Sequence, residues 1–420
     1  MSLADKASLL LIPSGYIAQK VYSIFPTSGV GDFTFSRSGS ATRIAKNGLI
    51  TTVDSNIPRL EYPLIDGEVV GCPSLILEPE RRNLITYSED VSQWINVNTT
   101  ISQDDVISPD GTNNADKFEF TGDGSIRPNT SQLTFTNDYS FSIFIKKGNA
   151  RYVTLAARFF TSPLVVGFDL DTETSQSGGI IENYGNDWYK LSLSNNVTGD
   201  ADRTGVFYVY LPNSLGAESS VSGNNAYVWG AQVEEGSYPT SYIKSNSGST
   251  TTRSAETANG SGDAATFNDS EGVLFADVST IADSTYKRIT INSGSYHNSI
   301  VLDFHNSNSL ISRVYVSGSQ VTEMTASGLN IEDINKIAFK YKQNNFSLWA
   351  NGIEVGASSS GAIPIGLTGA SFDLGGDQPF YGKTKELGYY NSALTDSELE
   401  QLTSWTSFTD MAQGQQYSIK

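Results

Sequence analysis

The chain has 420 residues, room for two or three domains that each close a core of their own. A single cysteine, Cys72, and two histidines, His297 and His305, exclude an intrachain disulfide framework, a structural zinc site and cysteine-based redox chemistry. A net charge of −18 opposes nucleic acid or an anionic membrane as a partner, and no run of about 18 apolar residues offers a membrane span.

Charged residues make up 17% and hydrophobic ones 38%, with 38 glycines and many Ser, Thr and Asn, a balance that predicts short strands joined by turns. The short apolar run at 9–12 lacks the basic flank and the length of a secretion signal. Residues 1–84 are charge-neutral, whereas 85–250 carry −10 and 251–420 carry −8, which predicts a docking end and a displayed, self-repelling remainder.

In chain order, SRSGSATR (36–43) holds Gly and hydroxyl residues but lacks the lysine and spacing of a phosphate-binding loop, and it reads as a hairpin with a polar turn. In LEPERR, Glu78 and Glu80 are expected to pair with Arg81 and Arg82. From 139, YSFSIFIKK follows a period of two, with Tyr139, Phe141, Ile143 and Ile145 on one face and Ser140, Ser142 and Phe144 on the other, and reads as a half-buried strand. GVFYVYL (205–211) and AYVWGAQVE (226–234) read as strands too, and repeated strands of this length imply a sandwich or jelly roll. The low-complexity stretch at 245–270 reads as a linker or an extended strap. Beyond it, NKIAFKYK, the Gln343-Asn344-Asn345 turn, FSLWA and a type I′ turn at Asn351-Gly352 predict a three-stranded meander. One helix is predicted near the end, with Thr395 as N-cap, Glu398 closing a capping box, and Leu394 and Leu399 as the hydrophobic staple.

Three sets of phrases carry a resemblance. GDFTFSRSGSATRIAKNGLI, IPRLEYP and CPSLILEPERRNLITYSEDVSQW resemble the opening of virion fibre and appendage proteins of tailed bacteriophages. The middle part, ending in YVWGAQVEEGSYPTSYI, resembles carbohydrate-binding jelly-roll modules, and the last part, ending in LTDSELEQLTSW, is similar to concanavalin-like or laminin-G-like sandwiches.

The expected fold is therefore all-β and multi-domain: an N-terminal virion-attachment module at 1–84, a jelly roll at 85–245, a linker at 246–270, a concanavalin-like sandwich at 271–408 and a tail at 409–420. The resemblance implies a virion structural protein, assembled in the host cytoplasm. Its implied partners are other phage virion proteins and a host surface glycan, without nucleic acid or membrane insertion, and its implied state is a homotrimer. It also implies that Arg37, Arg43, Arg59 and Arg81 support the fold of the opening module or its contact with neighbouring subunits.

Sugar recognition needs aromatic faces and planar polar groups. Trp94, Tyr184 and Trp188 stand beside Asn/Asp/Gly turns and are the aromatic candidates, with Arg151 and Arg158 beside them; Trp229 and Trp349, inside strands, read as core. Asp104, Asp105, Asp110 and Asp116 have the oxygen density for calcium but no EF-hand spacing, and Asx turns in a solvated loop are the favoured reading. No cofactor other than such a calcium ion is expected.

Neither histidine lies near a G-x-S-x-G phrase, so a serine triad is not predicted. Three functions remain: non-catalytic display and glycan adhesion, head or neck decoration with an assembly role, and a capsule-cleaving glycosidase using two carboxylates.

Overall fold

The computed structural model describes residues 3–129, 138–158, 164–195, 206–245, 248–281, 285–305 and 309–407. The expected tail at 409–420 lies outside the described residues, as do positions 246 and 247 of the expected linker and Gly205 at the head of GVFYVYL. The architecture is all-β, with two sandwiches and one α-helix, Asp396–Thr403, among the described residues.

The middle sandwich is contiguous in sequence. The Asn113–Arg127 strand is long enough to serve both layers: Asp116 to Glu119 pair with the Asn225–Glu235 strand, and Ile126 pairs with Val209. One layer then continues through Tyr152–Arg158 and Leu164–Asp169, the other through Tyr139–Lys147, Trp188–Asn195 and Gly179–Gly185. Phe141, Ile143, Ile145, Leu155, Phe168, Leu191 and Val228 fill the space between them. The Tyr139–Lys147 strand departs from the half-buried expectation, because its other face is covered as well. Phe144, with Trp188, Trp229 and Tyr242, packs against Ile50 of the N-terminal segment.

The second sandwich is built from two separated stretches of chain. Its larger sheet runs Ile353–Ser358, Phe346–Ala350, Asn335–Lys342, Glu271–Thr280 and Gly382–Tyr390, and then takes Ser74–Leu77 and Arg59–Glu61 from the N-terminal segment. Leu9–Leu11 also pairs with Gly382–Tyr390, Leu9 opposite Tyr389. The facing five-stranded sheet runs from Ser319–Ser327 to Gly369–Ser371. Leu9, Leu11, Phe33, Leu75 and Leu77 share one core with Leu274, Ile289, Leu302, Phe339 and Leu387.

The sheets therefore do not follow the expected boundaries at 84 and 246–270. Residues 3–84 do not form a module of their own, because their strands take hydrogen bonds and apolar partners from residues beyond 270. The stretch at 248–270 is a strap with pairing of its own: Thr251–Arg253 lies antiparallel to Arg81–Asn83, and Thr257–Asn259 pairs with Phe33–Ser36. The jelly roll is thus inserted into the second sandwich through two adjacent passages of chain. SRSGSATR is not a hairpin: Phe33–Ser36 pairs with the strap, and Ala41–Ile44 pairs onward with Ile50–Val53.

The C-terminal meander and helix follow the sequence. Asn351 and Gly352 have φ of 51° and 86° and close the turn, as only residues tolerant of positive φ do. Thr395 and Glu398 make the reciprocal capping box, and Leu394 and Leu399 are buried together against Val273, Phe275 and Trp349.

Candidate functional site

The neck of the insertion is held by buried charges. Arg37, Arg59, Glu78, Arg253 and Glu256 come from both stretches of the outer sandwich and are almost wholly buried, Arg59 and Glu256 at 0% exposure. Glu256 Oε1 accepts from Arg37 (2.7 Å) and Arg59 (2.8 Å), and Glu78 accepts from Arg59 (2.8 Å) and from Ser241 of the jelly roll (2.6 Å). Arg253 also reaches Glu78 at 2.8 Å.

Burial by itself would push the Glu78 carboxyl up, but the Arg253 and Arg59 charges and the Ser241 bonds hold it below the usual carboxylate range. Arg59 is held above its ordinary value against the effect of its burial, by Glu256 and Glu78. Glu78 thus pairs across the junction and not with Arg81 or Arg82, because its side chain turns into the interior. Asn83 completes the neck, donating to the Ala231 and Ile243 carbonyls and accepting from the Ile85 and Val233 amides.

Where the two sandwiches meet there is a cleft of about 630 Å³, within the usual range of a small-ligand site. The jelly roll contributes Phe144, Glu182, Tyr184, Lys190, Tyr238 and Tyr242, and the outer sandwich contributes Thr42, Arg43, Glu61, Asn330, Asp333 and Lys383. The walls touch at Gly67 and Gly185: a Cβ on Gly67 would sit 2.5 Å from the Gly185 backbone, and both have positive φ.

The Tyr184 ring packs edge-on against Phe144, centroids 4.9 Å apart, and forms an aromatic base. Burial, then the charges of Glu182, Glu61 and Glu78, raise its hydroxyl well above the usual tyrosine value, so it stays protonated.

The cleft's charges are largely matched. Glu61 lies 3.0 Å from Lys383, which that carboxylate raises above the ordinary lysine value, and Glu182 lies 3.5 Å from Lys190. Arg43 donates to the Tyr16 hydroxyl at 3.1 Å, while its buried Nε has no hydrogen-bond partner among the described residues. Burial also pushes the Asp333 carboxyl up. The arrangement offers fixed donors and acceptors over an aromatic base.

The structure separates the candidates named from sequence. Tyr184 lines the cleft, as does Arg43, which was expected to support the fold of the opening module or a subunit contact. Trp94 and Trp188 are corrected to core residues: they are 5% and 3% exposed, and their indole N–H groups donate to the carbonyls of Tyr87 (2.8 Å) and Ile107 (3.1 Å). Neither offers a face to a sugar. Trp229 and Trp349 are buried, as their strands implied.

Of the two roles expected for Arg37 and Arg59, burial leaves support of the fold and removes contact with a neighbouring subunit, since fully buried guanidinium groups cannot meet one. Arg81 donates to the Tyr238 hydroxyl at 3.0 Å and sits 5.1 Å from that ring's centroid, so it braces the neck. Arg158 is paired with Glu218 elsewhere on the jelly roll. Arg151 lies at the jelly-roll end where Lys147 finishes one strand and Asn225 starts another, beside a depression of about 340 Å³.

The acidic loop is used internally. Asp110 accepts from Thr112 N, Thr112 Oγ1 and Ser108 Oγ as an Asx turn, and Asp116 accepts from the Val91 and Asp104 amides. Among the described residues no group of three or more His, Cys, Asp or Glu gathers as a metal site.

Sequence reasoning missed Glu61, Lys383, Glu182 and Lys190, which lie far apart along the chain. The nearest signal was the alternation in YSFSIFIKK, whose second face holds Phe144.

No family model matches the chain, and no curated protein matches it. Solved structures overlap about a third of it. The CBM40 module of a Ruminococcus gnavus intramolecular trans-sialidase, bound to α2,3-sialyllactose, is 16% identical with a TM-score of 0.29 over 33% of this chain and 84% of that one. A leech intramolecular trans-sialidase is 17% identical, TM-score 0.29, over 34% and 24%. A pentraxin from Limulus polyphemus is 11% identical, TM-score 0.27, over 33% and 71%.

Proposed function

We propose that this chain is a non-catalytic adhesion protein of a tailed-phage particle that holds a host-surface glycan in the cleft between its sandwiches. The observation that carries the reading is the cleft itself, with its Tyr184–Phe144 base, its paired walls and the unspent Arg43 Nε. Pyranose rings bring apolar faces for such a base and hydroxyls for such walls. The virion role is supported by the opening phrases, and the particle-facing end is assigned to 15–30, where Ile17, Tyr22, Ile24 and Val30 are exposed.

A binding role is favoured over hydrolysis by how the cleft's carboxylates are held. Glycosidases need one carboxyl that keeps its proton and a second free to act opposite it. Here Glu61, Glu78 and Glu182 are each paired with Lys or Arg, and the two carboxyls left, Asp333, which burial raises, and the exposed Glu332, are chain neighbours on one wall and do not face each other across the cleft.

The test is binding of the full-length protein to intact host cells and to cells stripped of surface polysaccharide, with released sugar assayed. Binding lost on stripping without sugar release, and weakened about tenfold by Tyr184→Ala, is expected. Sugar release would establish the depolymerase instead, and binding to neither cell would leave the decoration role.

A further inference from the structure

We propose that the depression at the tip of the inserted jelly roll is a second saccharide site, independent of the cleft, that takes a neutral, hydroxyl-rich sugar ring. Three loops converge there, carrying Asn149 with Arg151 and Tyr152, Pro212 with Asn213, and Asn224. Ala150 and Pro212 are buried beneath them, and Tyr152 is half-buried.

The carboxamides are fixed by their own bonds. Asn149 donates to the Gly223 carbonyl (2.9 Å) and accepts from the Asn225 amide (2.8 Å). Asn224 donates to the Leu211 carbonyl (2.9 Å) and to Asn213 Oδ1 (3.1 Å). These bonds set which way each amide faces. They leave Asn213 Nδ2 and Asn224 Oδ1, a donor and an acceptor, unspent among the described residues. One donor and one acceptor in fixed positions suit a pair of neighbouring hydroxyls, each of which both gives and takes a hydrogen bond.

Charge defines the ligand class. Arg151 donates through Nε (3.0 and 3.1 Å) and Nη2 (2.6 Å) to Asp169, while its Nη1 makes no hydrogen bond among the described residues. Lys147 pairs with Asp171 beside it. Two cations and two carboxylates balance, so the depression has no net charge with which to draw an acidic sugar. The guanidinium, 4.9 Å from the centroid of the Tyr152 ring, is left as an oriented donor.

The experiment uses the full chain and NMR saturation transfer at millimolar concentrations of the methyl pyranosides of glucose, galactose, mannose and N-acetylglucosamine, with glucuronate as the acidic comparison. The expected result is transfer to at least one neutral pyranoside, weakened about fivefold by Asn213→Ala and by Arg151→Lys, and unchanged by Tyr184→Ala in the cleft. Arg151→Lys keeps the charge opposite Asp169 and removes the Nη1 donor, so it separates recognition from folding.

Absence of transfer to all four neutral sugars overturns the proposal. So does transfer insensitive to both tip variants, or glucuronate binding more tightly than every neutral ring. Binding that survives both tip variants but is lost in Tyr184→Ala would overturn the tip site while leaving the cleft reading intact.

Discussion

The inserted jelly roll and the sandwich around it are both two-layer β-structures with apolar cores, but they use the chain differently. The jelly roll draws its core from residues 85–233, whereas the outer sandwich places Leu9 and Leu77 against Leu274 and Leu387. Its pairing cannot finish until the chain has passed through the whole insertion, and the loop so closed is stapled by the Arg37–Glu256–Arg59–Glu78–Arg253 network. Threading one sandwich through the other is also what creates the cleft, since its walls come from both.

The strongest way to break this comparison is to cut the chain at residue 84. Residues 85–420 are expected to lose the outer sandwich, whose larger sheet would lack three strands and gain an open edge at Gly382–Tyr390. The jelly roll is expected to keep a cooperative transition. Calorimetry showing two native-like transitions in that fragment would refute the shared core.

Next in size, Glu256→Gln leaves Arg37 and Arg59 without a buried counter-charge and is expected to cost about 3–5 kcal/mol. Urea titration should place the loss in the outer sandwich, with the jelly-roll transition little moved. Gly67→Ala, at φ 78° and against the Gly185 backbone, is expected to cost about 1–3 kcal/mol at the contact between sandwiches.

The smallest effect is in pH dependence. Burial, then the Asp277 charge, pushes the Glu386 carboxyl up to about 7 on the outer face of the larger sheet. The native state therefore keeps a proton that the unfolded chain releases near 4.5, so this residue's contribution falls as pH rises from 4.5 to 7. Denaturation at several pH values should show that slope in the native protein and lose it in Glu386→Gln.

Local order was legible where the cause is local. The capping box at Thr395 and Glu398, the Asn351-Gly352 turn and the alternation of Ile337, Phe339 and Tyr341 all answer to neighbours within a few residues. The threading was not legible, because nothing in SLIL or LLL states that the partner strand lies about 310 or about 380 residues onward.

Turn residues near Trp94 and Trp188 suggested exposure, yet indole rings bury readily when a backbone carbonyl takes the N–H. For Arg37 and Arg59 the choice between supporting the fold and meeting a neighbouring subunit stayed open, because buried arginine is rare without paired carboxylates and Glu256 came from the distant strap. In the site, Tyr184 was legible beside its turn. The Glu61–Lys383 pair was not, since only the assembled junction brings it together.

The most direct measurement of the threaded sandwich is hydrogen exchange on the full-length protein, followed strand by strand. Amides of Leu9–Leu11 and Ser74–Leu77 are expected to be protected to the same free energy as those of Gly382–Tyr390, and to open with them in one step. Independent exchange of the 3–84 strands, at a lower free energy and without opening of Gly382–Tyr390, would contradict the shared sheet and restore a separate opening module.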